Sequence, residues 1–166
     1  MRSYFVTSAL TIALAFSGSI IPAVGEPILT PAATQQQTSE IDKIIQEAES
    51  LSVKERAVSR RKAIVLFKKA LDLSRSANAY DKQALSLLAL GSVYSDLGEN
   101  QEALDYYNQA LPLSRKVGDH KLESNVLNNI GLIYSDLDEQ RKALGYYDEA
   151  LPLSRKVKIV KEKLSP

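Results

Sequence analysis

Self-similarity at a spacing of 40 residues restricts this chain more than any other feature. Gly91-Ser92-Val93-Tyr94-Ser95-Asp96-Leu97 returns as Gly131-Leu132-Ile133-Tyr134-Ser135-Asp136-Leu137. Ala103-Leu104 with Tyr106-Tyr107 returns as Ala143-Leu144 with Tyr146-Tyr147, and the run Leu111 to Val117 returns unchanged as Leu151 to Val157. Between residues 91–118 and 131–158, 18 of 28 positions are identical. A worn copy stands upstream as Ala63, Phe67, Ala70, Leu71, Leu73, Ser74 and Arg75. A unit this short cannot bury its apolar face alone, so the copies have to stack on one another.

Each copy holds two helical patterns. Leu87, Leu90, Tyr94 and Leu97 fall at spacings of three, four and three, the stripe of an amphipathic helix. Gly98 can take the left-handed conformation that ends it, and Asn100 can cap the next helix. That helix carries Ala103, Tyr107, Ala110 and Leu111 on one face, Gly118 stops it, and Asp119 can cap its successor. Asn78 occupies the equivalent stop one copy earlier. The expected fold is all-α: tandem helical hairpins in an α-solenoid of about three repeats (residues 41–80, 81–120 and 121–160), the first degenerate. Gly91, Ala103 and Ala110 mark where two helices approach closely, with Tyr94 and Tyr107 filling the adjacent gaps. Pro112 and Pro152 each remove a helical hydrogen bond, which implies a shared kink or a helix that ends at Leu111.

The ends of the chain read differently. Residues 1–25 form a secretory-signal pattern: Arg2 as the only charge, an apolar run from Tyr4 through Ile21, then Pro22 and the small residues Ala23 and Gly25. An uncleaved membrane anchor is the rival, because Tyr4 to Ile21 is uncharged and nearly long enough to span a bilayer. Residues 26–40, with two prolines and three consecutive glutamines, read as a flexible linker before an array over 41–166. Ile41, Ile44, Ile45 and Ala48 give the first helix an apolar stripe. Counted by 40, however, Leu51 and Lys54 stand where later copies have Gly91 and Tyr94. At the far end Lys158 replaces the Gly118 stop, and Leu153, Val157, Val160 and Leu164 continue the pattern, so the last helix is expected to run to about Leu164. No polar capping helix is seen there, so the open end either self-associates into a homo-oligomer or belongs to a longer protein.

Leu87-x2-Leu90-Gly91-x2-Tyr94 followed by Ala103-x3-Tyr107-x2-Ala110 resembles the tetratricopeptide repeat. Leu127-x2-Ile130-Gly131-x2-Tyr134 with Ala143-x3-Tyr147-x2-Ala150 resembles it equally, whereas Ala63-x3-Phe67-x2-Ala70 matches only its second half. The period exceeds the family's roughly 34 residues, and Arg115 and Arg155 replace its usual closing Pro. The longer units, with Asn128-Asn129 before Ile130, look like the kinesin-light-chain type. They are also similar to secreted bacterial arrays attached to a caspase-like (CHAT) peptidase domain. The resemblance implies a concave groove, lined by the first helix of each unit, that holds an extended peptide or a helix of another chain. Its groove positions fall on Leu85, Leu88, Ser92, Ser95 and Asp96, then on Asn125, Asn128, Asn129, Leu132, Ser135 and Asp136. Side-chain amides suit such a groove, since one Asn both donates to and accepts from a peptide backbone. The alternative for these residues is a merely solvated repeat face.

Composition removes most other functions. Zero cysteines exclude a disulfide scaffold, a thiol nucleophile and an iron–sulfur site, and one histidine leaves no His-pair metal site. The 21 basic and 20 acidic residues, 20 and 20 after loss of Arg2, lack the basic excess of a nucleic-acid binder. Arg60-Arg61-Lys62 and Lys68-Lys69 read as solvated helix faces. Lone His120 reads as a surface residue. No phosphate loop, nucleophile elbow or calcium loop is present. The expectation is an exported, non-enzymatic protein-interaction scaffold with no cofactor and no metal, periplasmic or extracellular, off the membrane once the signal is cleaved. Its alternatives are the truncated regulatory module of a repeat–peptidase protein and a self-assembling envelope structural protein.

Overall fold

The computed structural model describes residues 31–53 and 57–164; the signal segment 1–25 and the first part of the expected linker, 26–30, lie outside them. Among the described residues there are six helices and no strand: α1 (Pro31–Ser52), α2 (Ala57–Ser76), α3 (Tyr80–Asp96), α4 (Asn100–Val117), α5 (His120–Asp136) and α6 (Gln140–Leu164). They pair as hairpins α1/α2, α3/α4 and α5/α6, and each hairpin lies against the next. One continuous core runs through the stack, from Ile41 and Phe67 through Leu90 and Tyr107 to Ile130 and Ile133.

The stops behave as expected. Asn78, Gly98 and Gly118 adopt positive φ of 53°, 77° and 70°, and Asp138 takes the Gly98 position of the last hairpin at 60°. Asx side chains tolerate this conformation better than other L residues do. The Asp119 carboxylate accepts from the Leu122 N–H at 2.9 Å and starts α5. Asn100 does not cap α4: it is the first residue inside the helix, Glu99 holds the cap position, and no side chain bonds there.

Three expectations need correction. The linker expected over 26–40 is helical from Pro31 onward. Proline at a helix start forfeits only an N–H that would be unpaired anyway, and Ala and Gln favour helix. The segment looked like a tether because Gln35, Gln36, Gln37 and Ser39 stay exposed, so no apolar stripe betrays the helix. Secondly, of the two readings of the prolines the alternative of a helix ending at Leu111 drops out: α4 continues through exposed Pro112 to Val117, as α6 does through Pro152. Asn108, whose carbonyl loses its donor to the proline ring, is also exposed, so water can replace the bond.

The third correction concerns the register of the first repeat. Buried Ile41, Ile44 and Ala48 with half-buried Leu51 reproduce the spacing and burial of Ala84, Leu87, Gly91 and Tyr94. The counterparts of Gly91 and Tyr94 are therefore Ala48 and Leu51, an offset of 43 (91 minus 48). From Ala48 to Phe67 is 19 residues, whereas Gly91 to Tyr107 is 16, so the first hairpin has a connection three residues longer. Ala48 meets the same need as Gly91: a small residue where the second helix brings an aromatic ring, here Phe67.

Candidate interaction groove

The backbones of α1 and α3, and of α3 and α5, approach one another along the stack, whereas those of α2, α4 and α6 stand apart and α4 reaches α6 through side chains. The stack accordingly bends toward the first-helix layer, whose open side is concave. Two close contacts hold the hairpins that shape it. A Cβ on Gly91 would lie 2.4 Å from Tyr107 Cε1, and one on Gly131 would lie 2.6 Å from Tyr147 Cε1, so each ring rests directly on helix backbone. Stacked pairs Tyr94–Tyr106 and Tyr134–Tyr146, with centroids 5.2 and 5.5 Å apart, lie one turn nearer the connecting loop of each hairpin.

Ser92 lies at the junction of three helices. Its hydroxyl donates to the Leu88 carbonyl at 3.1 Å and accepts from the Tyr107 hydroxyl at 3.2 Å and from Asn129 Nδ2 at 3.5 Å. One oxygen thereby links α3, α4 and α5. Burial pushes the Tyr107 phenol above its ordinary 10.0, and the bonds to Ser92 and Asn129 offset part of that rise. The hydroxyl stays neutral and acts as a fixed donor.

Of the residues expected to line the groove, Ser92 and Asn129 come together in this network, and Asn128 lies beside them, half-buried. Ser95 and Ser135 are half-buried near the helix ends; Leu132 and Asp136 are exposed. Leu85 and Leu88 pack against the core instead of standing free. Asp96 is drawn toward Arg60, its Oδ2 3.9 Å from Nε. Asn125 lines, with Ser154 and Val157, a crevice of about 130 Å³ between α5 and α6. His120 Nε2 lies 2.8 Å from Lys156 Nζ. Among the described residues no group of three metal-ligating side chains converges, and no helix is long and apolar enough to cross a membrane.

Sequence reading missed a second groove. Between α2 and α4, Lys68, Asp72, Arg75, Asp105 and the Tyr94–Tyr106 stack line a cavity of about 450 Å³. At the corresponding place between α4 and α6, Arg115 Nη2 bonds Glu149 Oε2 at 2.9 Å and crosses the gap. The signal lay in the copies' differences: Glu102, Asp105 and Gln109 become Lys142, Gly145 and Glu149.

The family model described as the tetratricopeptide repeat matches residues 55–116 and 82–156, most of the stack just described. The chain belongs to this family. Among solved structures, the tetratricopeptide-repeat domain of Arabidopsis FLU is similar, with a TM-score of 0.63 at 21% identity, over 72% of this chain and 98% of that one. BtubC (BKLC) from P. vanneervenii is similar at 22% identity with a TM-score of 0.46, over 76% of this chain and 59% of that one. At such identity the FLU likeness speaks for the fold alone. No curated protein matches the chain. Tetratricopeptide repeats are protein-interaction scaffolds, and the arrangement here is of that kind: six helices, a concave first-helix layer, and polar side chains set into it.

Proposed function

We propose that this tetratricopeptide-repeat protein is an exported, non-catalytic scaffold that holds an extended segment of a partner protein against the α3/α5 side of its concave face. The observation that carries the reading is the half-buried amide pair Asn128 and Asn129 on that face, with Asn129 oriented by Ser92. An amide fixed at its donor end keeps its carbonyl oxygen for a partner's backbone N–H, and its neighbour offers both functions. Fixing the amide beforehand lowers the ordering cost of binding. Export rests on the apolar run Tyr4–Ile21 followed by Pro22 and small residues.

Capture of partners by the mature array tests the groove. Asn128→Ala/Asn129→Ala is expected to lose a specific partner while keeping helical dichroism; an identical partner set from both proteins would refute the reading. N-terminal sequencing of exported protein tests the signal separately. A chain starting at Glu26 is expected, and retained Met1 would refute cleavage.

A further inference from the structure

The two helix layers end with opposite charge. In the second-helix layer α2 closes on Arg75 and α4 on Arg115 and Lys116, cations at the negative end of the helix dipole, where they are favoured. In the first-helix layer the last turns of α1, α3 and α5 hold no basic residue. Asp96 and Asp136 are instead the final residues of α3 and α5, and Glu49 stands in the last turn of α1. A carboxylate there adds to the dipole's own negative end, so each of these positions works against its helix.

All three carboxylates lie along the concave face. In the corrected register Glu49 takes the place of Ser92 (92 minus 43), and Asp96 and Asp136 stand one turn beyond Ser92 and Leu132. The cations that reach this face are already engaged. Lys82 of α3 pairs with Asp42 of α1, and Arg60 Nε lies 3.9 Å from Asp96 Oδ2. Glu49 and Asp136 are exposed and have no ion-pair partner among the described residues. Four carboxylates against Lys82 and Arg60 leave the face two charges negative, although the chain as a whole carries +1.

We infer that the segment held by this face is basic, with lysine or arginine side chains standing against Asp96 and Asp136 while its backbone lies on Asn128 and Asn129. The inference rests on the groove proposed above and names the chemistry of its occupant. Charge complementarity carries it. Asp96 and Asp136 together have only Arg60 for a counter-charge, and a cation from outside supplies the missing one while relieving both helix ends. An acidic segment would meet the same carboxylates as like charges and be rejected.

Binding of two short fluorescent peptides to the full chain tests it, one alternating Lys with Ala and the other Glu with Ala. The lysine peptide is expected to bind and the glutamate peptide to be rejected. Asp96→Asn/Asp136→Asn is expected to weaken the lysine peptide about tenfold, through two lost charge contacts. The same variant is expected to melt no lower than the wild type, because Asn relieves the helix ends. Asp72→Asn/Asp105→Asn, on the α2/α4 side, is expected to leave binding unchanged, which separates the concave face from general attraction to acidic surface. A lysine peptide that binds no better than the glutamate peptide, or equal losses from the two Asp variants, would overturn the inference and leave the groove standing. Loss in Asp96→Asn/Asp136→Asn with none in Asn128→Ala/Asn129→Ala would support the basic occupant and refute the amide seat, so the two readings fail separately.

Discussion

Leu104 and Leu144 hold the same position in two nearly identical hairpins, yet one is 6% exposed and the other 60%. Tyr107 and Tyr147 divide the same way: both rings lie on a glycine, but Tyr107 is buried and Tyr147 half-buried. The ring-on-glycine contact and the stacked tyrosine pair, which depend on a hairpin's own two helices, are shared by both copies, although Leu132 in place of Ser92 removes the bond to the tyrosine hydroxyl. Everything that depends on the next hairpin is present in one and missing in the other. The pair therefore separates, within one molecule, the energy of folding a hairpin from the energy of stacking it.

Tyr107→Ala is expected to have the largest effect, about 3–5 kcal/mol by denaturant unfolding, because it empties a core position and removes the Ser92 bond. Tyr147→Ala should cost clearly less, and equal losses would dissolve the contrast. Next comes Leu104→Ala at about 2–5 kcal/mol, against Leu144→Ala within about 0.5 kcal/mol in the monomer. Gly91→Val forces its side chain into the Tyr107 ring and should cost about 1–3 kcal/mol. Gly131→Val should cost less, since half-exposed Tyr147 has room to swing, and the two melting temperatures would show the difference. Asp119→Ala removes the cap that starts α5 and should cost about 1 kcal/mol.

The smallest effect concerns pH. The folded state holds Tyr107 protonated above the ordinary 10.0. Its contribution is therefore complete below that pH and is lost as pH rises from there through the folded-state value. Tyr107→Phe should flatten this part of the alkaline unfolding curve.

Contacts within a hairpin were legible from residue types alone. Gly91 with Tyr107 and Gly131 with Tyr147 recur at one spacing, and a small residue opposite a ring has a single geometric meaning. The left-handed stops at Asn78, Gly98 and Gly118 were equally plain, because few residues adopt that backbone. The first repeat misled because counting by a fixed period assumes equal loops, and its connection is three residues longer. Ala48, which fills the role of Gly91, could be recognised only once its burial was known. The α1 extension from Pro31 was hidden because helix propensity without an apolar stripe leaves no periodic mark. In the groove, the resemblance supplied positions but not pairings. It could not reveal that Asp96 turns to Arg60, that Asn125 leaves for the α5/α6 crevice, or that Ser92 and Asn129 share one hydrogen-bond network.

The uncovered flank also governs how the molecule comes apart. Among the described residues α6 packs along α5 and is tied to α4 by the exposed Arg115–Glu149 pair, whereas α3 has neighbours on both sides and α4 is gripped by α3 and α5. Local opening in the monomer should thus start at α6 and travel inward, so its amides exchange with deuterium first and those of α3 and α4 last.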